Sequence, residues 1–137
     1  MSVPPASPAR RTIRAQRGDA SEALVSQMLS HQGWQVLGRQ VRVGRAELDI
    51  VAVDPGPPAT LVAVEVRSRT SDRFGSQEER LDGAKVRRLY RAMTALRTVA
   101  ALPDGAPLPT GLAWRVDLVA VDLPSGRMRH LVGLIPR

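Results

Sequence analysis

Two apolar segments joined by a short proline-rich loop constrain the fold of this chain most strongly. The first runs from about Glu47 to Val53, the second from Leu61 to Arg69, and the loop between them spans residues 54–60. Valine, isoleucine, leucine and alanine fill both faces of both segments. Strands of this kind lie at the centre of a sheet that is covered on both sides. We therefore predict a buried β-hairpin at the core of the fold.

The other segments predict one mixed sheet flanked by helices. The first helix is expected from Asp19 to Gly33, with Asp19 and Glu22 as a capping box and Leu24 in its apolar stripe. The remaining elements are strands at 34–43, 113–123 and 129–135 and a second helix at 78–101. The order α-β-β-β-α-β-β is typical of an α/β (α+β, mixed-sheet) protein. A chain of 137 residues fits a single domain.

Residues 1–17 predict a flexible basic arm, and residues 18–137 predict the folded domain. The arm has three prolines and no acidic residue. Its arginines are candidate nucleic-acid contacts, because solvated cationic side chains neutralise phosphates; they are Arg10, Arg11, Arg14 and Arg17.

Composition excludes several function classes. The 20 basic and 13 acidic residues give a net charge of +7, which favours an anionic partner such as nucleic acid, although solubility alone is the alternative. The chain has no cysteine and only His31 and His130, so thiolate and multi-histidine metal sites are excluded. It also lacks a membrane-spanning apolar run and the apolar segment of a signal peptide. We therefore expect a cytoplasmic protein with no membrane partner.

The hairpin is expected to place two carboxylates side by side. With the loop centred on Pro57, Ile50 faces Val64 and Asp49 faces Glu65. Residues opposite one another in an antiparallel pair project to the same face, about 5 Å apart. A divalent cation would remove the repulsion, and oxygen ligands favour Mg²⁺ or Mn²⁺. A shift of one residue in register would separate the two groups.

Two cations lie near this pair in the predicted fold. Arg67 follows Glu65 by two residues and shares its face, so a metal-binding acid lies beside a phosphate-binding cation, as phosphodiester hydrolysis requires. Lys85, the single lysine, either extends its stem along the core or reaches into the site. In the structural alternative, Asp49 and Glu65 only form ion pairs with Arg67 or Lys85, and Glu22 only caps its helix.

Five short motifs in the same order resemble those of the YraN-like bacterial proteins, a family of predicted endonucleases. Four segments of the chain resemble the family patterns Gly-x-x-Gly-Glu, Gly-Glu-Ile-Asp-Leu, Phe-Val-Glu-Val-Lys-x-Arg and Arg-Phe-Asp-Val. Phe74-Gly75 and Lys85 match further residues typical of the family. Ser21 and Ala46 replace family glycines. The four segments are Gly18-Asp-Ala-Ser-Glu22, Arg45-Ala-Glu-Leu-Asp-Ile-Val51, Leu61-Val-Ala-Val-Glu-Val-Arg-Ser-Arg69 and Arg115-Val-Asp-Leu118.

The resemblance implies a restriction-endonuclease-like α-β-β-β-α-β core, distantly similar to that of archaeal Holliday junction resolvases. It implies Asp49, Glu65 and the backbone carbonyl of Val66 as ligands of Mg²⁺ (or Mn²⁺), with Glu22 as an accessory ligand or water-orienting group. It further implies a DNA substrate, including branched or structured DNA, and by analogy a homodimer. Arg69, Arg87 and Arg91 are additional candidate DNA contacts. For the stripe formed by Arg87, Arg88 and Arg91, the alternative is a solvated helix face.

Arg67 departs from the family pattern, which has lysine at this position. Arginine does not lose its proton in proteins, so Arg67 can bind a phosphate oxygen but cannot act as a general base. Metal-activated water would then supply the nucleophile, or Lys85 would substitute from the second helix. The alternative function is a catalytically inactive nuclease-fold protein that binds nucleic acid or another partner. A ribosome- or RNA-associated factor is a third hypothesis that rests on charge alone.

Overall fold

The computed structural model describes residues 13–69 and 81–136, with side chains described from residue 18 onward. Two helices and five strands occur within these ranges, in the predicted order α-β-β-β-α-β-β. They are α1 (Ile13–His31), β1 (Gln35–Val43), β2 (Ala46–Asp54), β3 (Thr60–Arg69), α2 (Gly83–Val99), β4 (Ala113–Asp122) and β5 (Met128–Leu131).

The five strands form one mixed sheet in the order β1-β2-β3-β4-β5. β3 and β4 are parallel, and the other neighbouring pairs are antiparallel. Parallel neighbours need a crossover connection, and α2 supplies it. The mixed sheet with its two helices confirms the predicted fold class.

The β2–β3 hairpin is buried on both faces, as its apolar composition predicts. Val51 and Ala63 pack in the cluster that includes the buried side of α2. Ile50 and Val64 pack in the opposite cluster, with Val25 and other residues of α1. The two strands pair in the predicted register, from Ile50 opposite Val64 to Asp54 opposite Thr60.

Helix α1 begins at Ile13 and not at Asp19, so the predicted capping box is wrong. Residues 13–17 of the predicted arm are helical, and residues 1–12 lie outside the described part of the chain. Alanine, glutamine and arginine favour a helix and continue it through Gly18. The predicted apolar stripe is also partly wrong, because Leu24 is exposed and the buried face carries Ser21 and Glu22.

Helix α2 begins at Gly83, after the non-helical Leu81 and Asp82, and the start predicted at Glu78 lies outside the described residues. The Asp82 carboxylate accepts the backbone N–H of Lys85 at 2.8 Å and thereby caps the first turn. The helix ends at Val99, because Ala100 adopts a left-handed conformation. Neither described helix combines the length and the apolar character needed to cross a bilayer.

Candidate functional site

Asp49 and Glu65 lie side by side where the described pairing of β2 and β3 begins. The pairing starts at Ile50 and Val64. Beyond that pair the Asp49 carboxylate bridges the strands, because its Oδ2 accepts the backbone N–H of Val66 at 2.8 Å. The two carboxyl groups are close enough that each shifts the pKa of the other. The structure thus brings together the two carboxylates that the hairpin register predicts to be neighbours.

This carboxylate pair holds a proton more tightly than isolated acids do. Burial, followed by the charge of Asp49, raises the pKa of Glu65 to about 7, although Lys85 opposes the shift. Burial also raises the pKa of Asp49, against the opposing hydrogen bond from Val66. Neighbouring carboxylates disfavour the simultaneous ionisation of both groups. Near neutral pH Glu65 is therefore only partly ionised.

Glu22 is a third carboxylate within electrostatic reach of the pair. It lies on the buried face of α1, well inside the helix, so the alternative in which it only caps the helix is wrong. Burial, followed by the charge of Asp49, raises the pKa of Glu22 to about 7. Glu65 contributes to the same shift, and Arg39 opposes it. The carboxylate on α1 and the two carboxylates on the sheet therefore influence one another's protonation.

Two oxygen atoms of these acids are buried without a hydrogen-bond partner among the described residues. They are Glu22 Oε1 and Glu65 Oε2. A buried acceptor without a donor costs free energy. Among residues 18–69 and 81–136, no three histidine or acidic side chains come close enough to hold a metal ion by themselves. A cation bound to this pair would need further ligands from backbone carbonyls, water or substrate.

Lys85 reaches into the site from the first turn of α2. Its Nζ lies 3.6 Å from Glu65 Oε1, and about a third of its side chain is exposed. Of the two alternatives for this lysine, the structure therefore shows the second, in which the ammonium group points to the carboxylates. This contact is also the ion pair expected under the alternative in which Glu65 has only a structural role.

Arg67 lies within electrostatic reach of the start of α2. Its charge contributes to lowering the pKa of Asp82, the residue that caps that helix, and its side chain is half-buried. The face of β3 that carries Glu65 therefore continues into positive charge.

A cleft of about 670 Å³ opens beside Asp49, between the β1–β2 turn and α2. One wall carries residues 43–47 and the other carries one side of α2 from Lys85 to Ala95. Glu47 and Asp49 are its acids. Its cations are Arg45, Lys85, Arg88 and Arg91, and its apolar residues are Val43, Ala46, Leu89, Ala92 and Ala95.

The cleft includes only one of the arginines predicted as DNA contacts on the folded domain. Arg91 lines it, whereas Arg69 and Arg87 do not. Sequence reasoning missed Arg45. Arg88 also lines the cleft, and its spacing of three residues from both Lys85 and Arg91 is the signal that places it on their face of the helix. Arg10 and Arg11 lie outside the described residues. The side chains of Arg14 and Arg17 in α1 also lie outside the description.

A second charged cluster connects the hairpin loop to β4 and β5. Arg115 Nε lies 2.9 Å from Asp117 Oδ1, as the sequence spacing suggests, and its Nη2 lies 2.7 Å from Asp54. His130 Nε2 lies 2.8 Å from Asp117 Oδ2. Burial would raise the pKa of Asp117, but hydrogen bonds from His130, Arg115 and the Gly133 N–H hold it below its ordinary value. This motif therefore holds strands together and lies outside the cleft.

Comparison with known proteins gives a consistent family assignment over most of the chain. The model of the uncharacterised protein family UPF0102 matches residues 21–121. A UPF0102 protein of Roseiflexus castenholzii is 34% identical over 110 residues, which cover 80% of this chain and 82% of the relative. Another, of Mycolicibacterium gilvum, is 35% identical over 128 residues, which cover 91% of this chain and 98% of the relative.

Among solved structures, Pyrococcus furiosus SfsA in complex with Ca²⁺ aligns with 86% of this chain and 63% of its own. The TM-score is 0.34 and the sequence identity is 14%. At that level the alignment adds nothing to the fold described above.

Proposed function

This chain belongs to the UPF0102 family, the YraN-like proteins, and from that membership and the site geometry we propose that it is a metal-dependent DNA endonuclease. The reaction is hydrolysis of a phosphodiester bond, and the substrate includes branched or structured DNA. The single observation that carries the proposal is the buried Asp49–Glu65 pair at the end of a cationic cleft. A DNA substrate makes the cytoplasm the expected site of action, and the homodimer expected from the resemblance stays a prediction.

The donor set of the carboxylate pair suits Mg²⁺. This ion is commonly held by one or two carboxylates, keeps several waters and takes substrate phosphates as further ligands. Asp49, Glu65 and the carbonyl of Val66 would hold it, and the unpartnered oxygens of Glu22 and Glu65 leave acceptors available. Bound Mg²⁺ would lower the pKa of a water and neutralise charge that develops on the phosphate. It would also replace the proton that Glu65, with its raised pKa, retains.

The cations beside the pair provide the phosphate contacts. Arg67 is permanently charged, so its guanidinium can bind a phosphate oxygen without taking part in proton transfer. Lys85 Nζ lies 3.6 Å from Glu65, and part of its side chain is exposed to the cleft. Its ammonium group can hold a proton for the leaving oxygen. Glu22, buried with a raised pKa, can orient a water by accepting a hydrogen bond from it.

Cleavage of plasmid and branched DNA in Mg²⁺, with EDTA as the blank, tests this function. We expect the wild type to cleave and the isosteric variants Asp49→Asn and Glu65→Gln to lose cleavage by roughly a hundredfold or more while they retain DNA binding. Asp104→Asn, an exposed carboxylate in the loop after α2, is the matched control and should cleave normally. Normal cleavage by both site variants would refute the assignment of the pair.

A non-catalytic nucleic-acid-binding protein is the second candidate, and Arg67 is the observation that favours it. Arginine stands where the family pattern has a lysine able to act as a base. This function requires DNA binding that weakens steeply with salt, needs no divalent metal and produces no cleavage. The same cleavage assay, combined with a binding titration in EDTA, separates the two candidates.

A further inference from the structure

We propose that the cleft beside Asp49 holds one nucleotide that has left the base stack, so that this protein prefers DNA with an unpaired nucleotide. The inference rests on the proposed function, because it names the substrate class for the same site. It assigns to the α2 wall of the cleft a binding role separate from that of the carboxylate pair.

The shape of the cleft fits an unstacked base and does not fit a duplex. Its volume of about 670 Å³ lies within the range of small-ligand pockets. Ala92 and Ala95 leave space along α2, and Val43 and Ala46 form the apolar wall opposite. A paired duplex keeps its base faces inside the stack and presents base edges and phosphates. Only a nucleotide outside the stack exposes an apolar face that can fill such a cleft.

The charges around the cleft also point to a base with its own phosphate. Arg45 lies on one wall, and Arg88 and Arg91 lie on the other. Guanidinium planes can stack on bases in place of aromatic rings. Glu47, on the wall with Arg45, would repel a phosphate but can accept a hydrogen bond from an exocyclic amino group. The cleft therefore combines stacking cations with an acceptor suited to a base.

Arginine is the stacking group that the cleft offers, because none of the aromatic side chains in the described part of the chain lines it. Tyr90 and Trp114 pack on each other with ring centroids 5.2 Å apart. Trp34 packs against His130, and the Arg115 guanidinium lies over the Trp34 ring. The aromatic rings are thus used in the fold.

The position of Asp49 links this nucleotide to the reaction. Asp49 lines the cleft, and its Oδ2 accepts the backbone N–H of Val66, the residue that follows Glu65. A base held between α2 and the β1–β2 turn would bring its own phosphodiester to the carboxylate pair. We therefore expect cleavage next to the unpaired nucleotide.

The first test measures binding by fluorescence anisotropy in EDTA, where metal-dependent cleavage is blocked. Three labelled duplexes are compared: fully paired, with one bulged nucleotide, and with one bulged abasic site. The full-length wild type should bind the bulged duplex roughly tenfold more tightly than the paired duplex, the size expected for one stacked base. The abasic bulge should lose most of that gain, since it bends the backbone without supplying a base. Equal binding of all three duplexes would overturn the inference.

Variants of α2 locate the effect. Ala95→Phe fills the cleft and should abolish the preference for the bulge, whereas Thr94→Phe, on an exposed neighbour outside the cleft, should keep it. Arg91→Gln should reduce the preference and Arg87→Gln should not, although both remove one exposed charge from the same helix. If Ala95→Phe and Arg91→Gln both keep the full preference, the cleft is not the binding site. Circular dichroism checks that each variant is folded.

Cleavage of the same duplexes in Mg²⁺ separates this inference from the proposed function. Equal cleavage of paired and bulged DNA would refute the nucleotide site and leave the endonuclease proposal intact. A bulge preference that Ala95→Phe abolishes, without cleavage of any duplex, would support the nucleotide site and refute the endonuclease proposal. Cleavage next to the bulge by the wild type, lost in Asp49→Asn, supports both.

Discussion

Raising the pH from about 5 to about 7.5 should destabilise this protein in the absence of divalent metal, because Glu65 must then lose a proton in a buried site. The pKa of Glu65 is about 7 in the folded protein, against an ordinary value of 4.5. Between these two values the folded state holds a proton that the unfolded chain has released. Stability is therefore fully present below pH 4.5 and is lost as the pH rises towards 7.

The expected loss follows from the size of this shift. One pKa unit corresponds to about 1.4 kcal/mol, so roughly two units between pH 5 and 7 give a loss of about 2–3 kcal/mol from Glu65. Glu22, whose pKa is also raised to about 7, adds to the loss in the same direction. Asp54 and Asp117 have lowered pKa values, so they are ionised in both states above pH 5 and contribute little in this window.

Urea unfolding in EDTA at the two pH values measures the effect. Wild type should be less stable at the higher pH by at least about 2 kcal/mol, and Glu65→Gln should lose much of this dependence because glutamine does not titrate. Asp104→Asn, on an exposed loop, should behave like the wild type. Equal stability of the wild type at both pH values, or an unchanged pH dependence in Glu65→Gln, would refute the claim that burial raises the pKa of Glu65 in the folded protein.

Three further predictions concern the metal, the basic group and the second charged cluster. At pH 7.5, Mg²⁺ should raise the melting temperature of the wild type in a concentration-dependent way, and it should not do so for Asp49→Asn; equal shifts in both proteins would argue against this metal site. Arg67→Lys should preserve or raise cleavage, so a large loss in that variant would show that the guanidinium itself is needed. Arg115→Gln should lower the free energy of unfolding by about 3 kcal/mol, because Asp117 is fully buried and loses its main cation. Calorimetry measures this loss of stability, and a loss below about 0.5 kcal/mol would contradict the structural role of Arg115.

Much of the hairpin and of the carboxylate pair follows from local sequence pattern. Side chains alternate along a strand, so the apolar positions and the Pro57 loop together define one register. That register places Asp49 next to Glu65, as the structure shows. The helix boundaries are less predictable, because Asp19 and Glu22 match a capping box although the helix begins at Ile13. A capping motif describes a local preference, and favourable residues on both sides can override it.

The sequence by itself determined the order of elements, the mixed sheet and the neighbouring carboxylates, because all three depend on periodicity and turn position within short segments. Only the tertiary structure decided that Glu22 of α1 comes within electrostatic reach of those carboxylates and that Lys85 reaches Glu65 from α2. It also brought Arg45 opposite Arg88 across the cleft. Each of these depends on how a helix rotates and packs on the sheet. That packing follows from burial of apolar surface between segments distant in the chain, which no local pattern specifies.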